Sequence, residues 1–260
     1  MRRIDVPRAL LLDRQPGDDL LLPDEQAHYL RDVLRLETGD EVELFDGEGT
    51  IVRGRLAAVG DEVRLEINKL RDSERGESPL TCVLFQAIPK GKRWKWILEK
   101  ATELGVDSIV PLETKRTVVQ IPKQRLKRRR KRWNKIVSSA ARQSERTVVP
   151  TISDPLSIEE ARKEPPRDID LVAHPGGDAE TPQQLLDAID DPVDSVGIWI
   201  GPEGGFNEDE VQTMVDAGMS RISLGPRILR ADTAGIAALA LVQAARGDLG
   251  PGQAEISQSE

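Results

Sequence analysis

Residues Val196–Phe206 read V-G-I-W-I-G-P-E-G-G-F, and Arg221–Ala234 read R-I-S-L-G-P-R-I-L-R-A-D-T-A. Two short apolar runs, Val196–Ile200 and Ile222–Leu224, each stop at a Gly-Pro pair. Apolar runs of this length closed by Gly and Pro predict buried strands. The first turn, Gly201-Pro202-Glu203-Gly204-Gly205, is poor in side chains, so bare backbone can come close to a neighbour or a ligand there. The second, Gly225-Pro226-Arg227, leads through Ile228-Leu229-Arg230 to a helix start predicted at Asp232 or Thr233. Backbone-rich loops at strand ends of one α/β sheet are where such sheets hold ligands.

Working outward, the same alternation of strand and helix runs from Leu80 to Ala245. Strands are predicted at Leu80–Ile88, Ser108–Leu112, Ile169–Ala173, Val196–Ile200 and Ile222–Leu224. Helices are predicted at Lys92–Leu104, Lys123–Ser144, Thr181–Ile189, the segment after Asn207, and Ala234–Ala245. Asn207 with Glu210 three residues on forms a capping-box pattern. Alternation of this kind predicts a mostly parallel sheet with helices on both faces. Before it lie short β-like runs, Glu41–Phe45, Ile51–Leu56 and Val63–Ile67, with a turn at Asp46-Gly47-Glu48-Gly49. Their spacing predicts a small barrel. One helix, Glu25–Arg35, is predicted there, with Asp24 as its cap. Arg71–Pro79 reads as a linker. Asp248–Glu260 has no periodicity and reads as a disordered tail.

Several function classes are excluded by composition. The lone Cys82 rules out a disulfide framework and a cysteine zinc site, and with only His28 and His174 besides, a metal enzyme is not expected. The start of the chain lacks the apolar block of a signal peptide, and no stretch has the roughly 20 apolar residues of a membrane span. A cytoplasmic protein is therefore expected. Net charge is −8, yet Thr81–Arg146 carries 18 Lys/Arg against 5 Asp/Glu. That asymmetry predicts one basic face on an acidic body, hence a nucleic-acid partner; a merely solvated helix is the alternative. With eight aromatic residues in the chain, a stacking platform of the RRM kind is not expected.

Gly201–Gly205 is neither a P-loop, which needs a following Lys, nor a dinucleotide fingerprint, which needs a different glycine spacing. Glu203 would repel a phosphate and favour a neutral or cationic ligand. I-G-P-E-G-G-F at Ile200–Phe206 and L-G-P-R-I-L-R-A-D-T-A at Leu224–Ala234 closely resemble the two signature motifs of the ribosomal small-subunit RNA methyltransferase E family, within the SPOUT superfamily of knotted methyltransferases. Glu103-Leu104-Gly105-Val106, Arg116, Arg132-Trp133-x-Lys135-Ile136, Gln143-Ser144, Arg146 and Gly247-Asp248-Leu249-Gly250 follow the family's order. Two positions depart from it: Asp232 stands where the family usually has Glu, and Arg142 where it often has Glu.

The resemblance implies a PUA-like β-barrel over residues 1–72 and a SPOUT-type knotted α/β methyltransferase domain over residues 80–248, with a tail at 249–260. It implies a homodimer that methylates the imide nitrogen of a uridine in 16S ribosomal RNA near the decoding centre, using S-adenosylmethionine. The donor pocket falls on Leu171, Ala173 and His174, with Pro175 beyond. It also takes in Ile200, Gly201, Pro202, Glu203, Gly204 and Gly205, and then Leu224, Gly225, Ile228, Leu229, Thr233 and Ala234. Arg230 and Asp232 are the expected catalytic residues: a cation near the imide stabilises the anion left by deprotonation. Arg230 paired with Asp232 is the structural alternative, and Asp232 could serve only as a helix cap. Arg116 or Arg35 could assist from the partner subunit or the barrel. Arg2, Arg3, Arg31, Arg35, Lys92, Arg116, Lys123, Arg128, Arg132 and Lys135 are expected to contact RNA. Trp133 is expected in the core, His28 as a local hydrogen-bonding group, and His174 either lining the donor site or closing a turn. No metal is expected. A ribosome-assembly factor with this fold and no activity is the alternative function.

Overall fold

The computed structural model describes residues 2–71, 76–119, 121–174 and 179–249; Pro175 and the tail from Gly250 lie outside the described residues. The chain divides into two compact units. One is Met1–Glu77 together with Ala141–Val149, and the other is Ser78–Ala140 with Pro150–Glu260.

The first unit holds β1 (Arg2–Asp5), α1 (Arg8–Leu11), β2 (Asp19–Leu21), α2 (Asp24–His28), β3 (Glu41–Phe45), β4 (Ile51–Val59) and β5 (Val63–Arg71). Its five strands run in the order β1-β3-β4-β5-β2. Among the described residues no ladder joins β1 to β2, so by hydrogen bonding the predicted barrel is an open sheet wrapped on its core. Ile4, Leu20, Leu44, Val52, Leu56 and Leu65 fill that core. The predicted helix Glu25–Arg35 is α-helical only to His28; Tyr29–Val33 is a π turn, closed by Leu34 N donating to Tyr29 O at 2.9 Å. Arg35 then stops the helix with a left-handed φ of 54°. Asp24 does not cap: Pro23 is the extended N-cap residue, so Asp24 already lies in the first turn, where its charge suits the helix dipole. Segment Ala141–Val149 is fastened to this unit by Glu77. One carboxylate oxygen takes Arg146 Nη2 at 2.7 Å, and the other takes the amides of Thr147 and Val148 at 2.6 and 2.9 Å.

The second unit holds β6 (Thr81–Ala87), α3 (Arg93–Glu103), β7 (Ser108–Glu113), α4 (Lys123–Gln143, whose last turn belongs to the first unit), β8 (Thr151–Ile152), β9 (Leu156–Ser157), α5 (Ile158–Ala161), β10 (Ile169–Ala173), α6 (Pro182–Asp187), β11 (Ser195–Ile200), α7 (Glu208–Asp216), β12 (Ser220–Ile222) and α8 (Ala231–Arg246). The sheet runs β12-β10-β11-β6-β7-β8, with β9 also on β7, and every pairing is parallel. Alternation along the strands sends Phe85, Val110, Val172 and Trp199 to one face, under Ile158, Phe206, Val211 and Met214 of the α5 and α7 side. Gln86 and Ile200 point to the other face, against Gly235 of α8. Helices therefore cover both faces, and buried strands need no polar alternation. Capping boxes start α5, α6 and α7 at Ser157, Thr181 and Asn207.

Two boundaries and one cap are corrected. β12 ends at Ile222 and not Leu224, because its partner β10 ends at Ala173, opposite Ile222. α8 begins at Ala231, ahead of the predicted start. Its N-cap residue is Arg230 in extended conformation, which places Asp232 inside the first turn and removes its role as a cap.

Candidate functional site

Sheet register assembles the site. Ala173, at the end of β10, pairs with Ile200 on one side and Ile222 on the other. The loops after β11 and β12 thus leave the same sheet edge on either side of His174. They are not neighbours: β10 lies between them, so they stand about two strand spacings, or ~10 Å, apart.

The loop Gly201–Gly205 is built around its own backbone. Gly205 N donates to Pro202 O at 2.8 Å. A Cβ on Gly201 would sit 2.7 Å from Phe206 N, so that glycine is required by the turn itself, and Gly205 adopts a φ of 68°. Three basic residues brace the loop, Lys90 through its backbone amide. Glu203 Oε1 accepts from Lys90 N at 2.9 Å and lies 3.6 Å from Arg93 Nη1. Arg116 Nη1 donates to Gly204 O at 2.7 Å. Lys90, Lys92 and Arg93 with Glu203 line a cavity of about 460 Å3 beside this loop. Sequence reading missed Lys90 and Arg93; the cluster K-G-K-R directly after β6, leaving the same sheet edge, was the available signal.

The second loop is open. Among the described residues no backbone-to-backbone hydrogen bond involves Leu224–Leu229. Gly225 has a φ of 98° with nothing within 4 Å of a Cβ position. Ile228 is 92% exposed, an unusual position for a large apolar side chain. Leu224, Leu229 and Ala234 are half-buried, and Arg230 and Thr233 are exposed. Arg230 has no ion pair among the described residues, so the Arg230–Asp232 pair of the structural alternative does not form. Two buried polar atoms at the site lack a partner among the described residues: Asp232 Oδ1, in the first turn of α8, and His174 Nδ1. The other ring nitrogen of His174 lies 3.1 Å from Glu208 Oε1. Leu171 is buried in β10, under the site.

The basic helix is as exposed as its sequence implies. Lys123, Arg128, Arg132 and Lys135 all face solvent on α4, while Trp133 is buried and packs edge-on against Trp94 at 5.6 Å. In the first unit Arg31 is held by Asp32 at 2.9 Å and by Gly60 O at 2.6 Å, and His28 Nδ1 lies 2.6 Å from Asp32 Oδ2. Arg2 and Arg35 are exposed, and Arg3 lies 3.1 Å from Glu43. Among the described residues no cluster of three or more His, Cys, Asp or Glu could hold a metal. No described helix is long and apolar enough to cross a membrane.

Residues 76–243 match the model of an RNA methyltransferase domain, and residues 22–67 that of an RNA methyltransferase PUA domain. The chain is 31% identical to ribosomal RNA small subunit methyltransferase E of Bacillus subtilis, over 84% of this chain and 87% of that protein. It is 34% identical to the protein of the same name from Synechocystis, over 84% and 71%. The chain belongs to the ribosomal RNA small subunit methyltransferase E family. Among solved structures, a member of this family from Neisseria gonorrhoeae, bound to S-adenosyl methionine, superposes with a TM-score of 0.82 at 33% identity, covering 95% of this chain and 99% of that one. A Legionella pneumophila protein with bound SAM gives the same TM-score at 35% identity, over 95% and 98%. The family's methyltransferase match runs through Arg116, Arg132, the two glycine loops and most of α8, so the sequence motifs and the assembled sheet edge coincide.

Proposed function

We propose that this methyltransferase E family member transfers a methyl group from S-adenosylmethionine to the imide nitrogen of a uridine in 16S ribosomal RNA, near the decoding centre. The observation that carries the reading is the register that sets Ala173 between Ile200 and Ile222, gathering three strand ends of a parallel sheet at one edge. The residues there fit the donor. Apart from Gly225 N, which donates to Ser223 Oγ at 3.3 Å, Leu224–Leu229 offers backbone groups with no backbone partner among the described residues, and Ile228 offers an apolar cover suited to an adenine face. Asp232 Oδ1 and His174 Nδ1 are buried polar atoms without a partner among the described residues, a state rare in native proteins. In this reading Leu171, Ala173, His174, Ile200, Gly201–Gly205, Leu224, Gly225, Ile228, Leu229, Thr233 and Ala234 hold the donor.

When bound, the donor supplies an electrophilic methyl group on a sulfonium. The chain's task is to position the uridine and to favour loss of its imide proton. Arg230 is exposed, has no ion pair among the described residues, and stands at the positive end of α8. Its guanidinium, with the amides of the first helical turn, stabilises the imide anion. Arg116 is committed to Gly204 O and steadies the glycine loop of its own chain. The exposed cations of α4 track phosphates. The reading also includes a trefoil-knotted SPOUT topology, a homodimer, a cytoplasmic location and no metal. Its support is the family membership and a strand order in which β12 lies beyond β10, on the side away from β11.

Arg230→Ala tests the chemistry. Turnover should vanish, while calorimetric donor affinity stays within about twofold, because the lost interaction belongs to the transition state. Unchanged turnover removes Arg230 from the mechanism. Mapping 16S ribosomal RNA from a strain lacking the gene should show one uridine without its methyl; no change there, or no donor binding by the wild-type protein, favours an assembly factor instead.

A further inference from the structure

The first unit contains a recess of about 530 Å3 whose walls include Arg2, Arg3, Arg53, Arg142, Tyr29 and Gln143. We propose that this recess takes one unstacked nucleotide of single-stranded RNA, its phosphate on the guanidiniums and its base against Tyr29 and Arg142. The proposal rests on the methyltransferase reading for its choice of partner.

The recess is a built charged site. Glu43 is buried, and its two oxygens hold Arg3 at 3.1 Å and Arg53 at 3.0 Å. Arg3 also lies over the Phe45 ring at 4.4 Å. One buried carboxylate therefore fixes two guanidiniums. Four arginines line the recess against two carboxylates, Glu43 and Glu145. Asp5, which pairs with Arg142 at 3.2 Å, still leaves the balance positive. Arg2 is exposed and has no ion pair among the described residues. Guanidiniums in excess suit a phosphodiester, which they can grip through two parallel hydrogen bonds.

The remaining surface suits a base. Arg142 Cζ lies 5.9 Å from the Tyr29 ring centre, so a flat cation and a flat ring share one wall. Unstacked RNA bases are bound on such faces. Gln143 carries both a donor and an acceptor, as reading a base edge requires. An RNA duplex keeps its bases stacked and cannot send one into a recess of this size, which is within the range of small-molecule sites.

Backbone strain collects at the same place. Among the described residues only Asp13, Arg35 and Glu145 are non-glycine residues with left-handed φ, at 57°, 54° and 61°. Glu145 lines the recess, and Arg35 directly follows Leu34, which also lines it. Tyr29 and Leu34 are the two ends of the π turn. Strained residues and π turns recur at functional sites.

The test uses the full chain and fluorescein-labelled short RNA of mixed sequence, single-stranded or as a blunt duplex of equal length. Tyr29→Leu should weaken single-strand binding about tenfold, the usual effect of losing one stacked base, and leave duplex binding within about twofold. Tyr29→Phe, which keeps the ring, should retain affinity. Arg2→Gln, at an exposed side chain with no ion pair among the described residues, should lower the salt slope for single strands by about 0.7, one phosphate contact. Single-strand affinity unchanged in both Tyr29→Leu and Arg2→Gln overturns the proposal. So does equal weakening of duplex and single strand, or tight capture of a polyglutamate peptide that displaces the RNA. Donor affinity, measured by calorimetry on the same variants, should match wild type. Its absence from the wild-type protein refutes the methyltransferase reading alone, since the RNA arms are read without donor.

Discussion

Replacing Gly197 in β11 with Ala should destabilise the second unit and loosen the site at its far end. A Cβ there would lie 1.8 Å from Asp170 Oδ1 and 2.9 Å from Arg167 Nε. That carboxylate is not free to turn away. Its Oδ1 accepts from Arg167 Nε at 2.9 Å and Trp199 Nε1 at 2.8 Å, and its Oδ2 from Arg167 Nη2 at 2.8 Å. The Arg167 side chain is 7% exposed and lies over Phe85, which stacks on Trp199 at 4.0 Å. Breaking one side of a buried ion pair costs about 3–5 kcal/mol. Partial rearrangement and the ~0.5–1 kcal/mol gained from a less flexible unfolded chain bring the net loss to ~2–3 kcal/mol. For a unit of this size that lowers Tm by roughly 5–10 °C in a circular-dichroism melt. Because Asp170 ties β10 to Trp199 of β11, the strand ends bearing His174 and Gly201 lose alignment, and donor affinity should fall as well. A loss below about 0.5 kcal/mol, the range of ordinary surface substitutions, would refute the picture of a fixed carboxylate against β11.

Two further outcomes follow from charge. Arg128, Arg129 and Arg132 are exposed on α4, so replacing all three with Gln should leave Tm nearly unchanged. It should flatten the dependence of log RNA affinity on log salt by about 2, at ~0.7 per phosphate contact for single strands; an unchanged slope removes α4 from the RNA path. Asp168 accepts from Ser195 Oγ at 2.9 Å and from the amides of Asp194 and Ser195 at 2.9 and 2.8 Å, which hold its carboxyl below the usual range, the Ser195 hydroxyl contributing most. Its contribution is therefore present above the ordinary Asp range near pH ~4 and lost as pH falls through the lower folded value. Asp168→Asn should give a shallower acid limb in urea-unfolding stability against pH, and parallel limbs for variant and wild type would contradict that assignment.

Much of the parallel sheet was legible because its signals are local: strand Ile169–Ala173, the capping box at Asn207 and the helix start at Thr181 need only their own residues. What failed depended on partners distant in sequence. β12 stops at Ile222 because β10 has run out, which no reading of Ile222–Leu224 reveals. The π turn after His28 and the left-handed Arg35 look helical in sequence, since Leu30, Val33 and Leu34 keep the right period. At the site, the glycine motifs could be located but not their purpose. Gly201 is needed because Phe206 N occupies the space of a side chain, whereas Gly225 meets nothing at all. The two loops therefore do different work. The first is a folded brace, tied by Glu203 to Lys90 and by Arg116 to Gly204. The second has no backbone-to-backbone bond among the described residues and holds itself only by Gly225 N donating to Ser223 Oγ at 3.3 Å, with Ile228 in solvent and Asp232 Oδ1 without a partner there; in the proposed reading it is the loop that the donor completes. Substitutions in Gly201–Gly205 should accordingly act through stability first and donor affinity second, and those in Leu224–Leu229 in the reverse order.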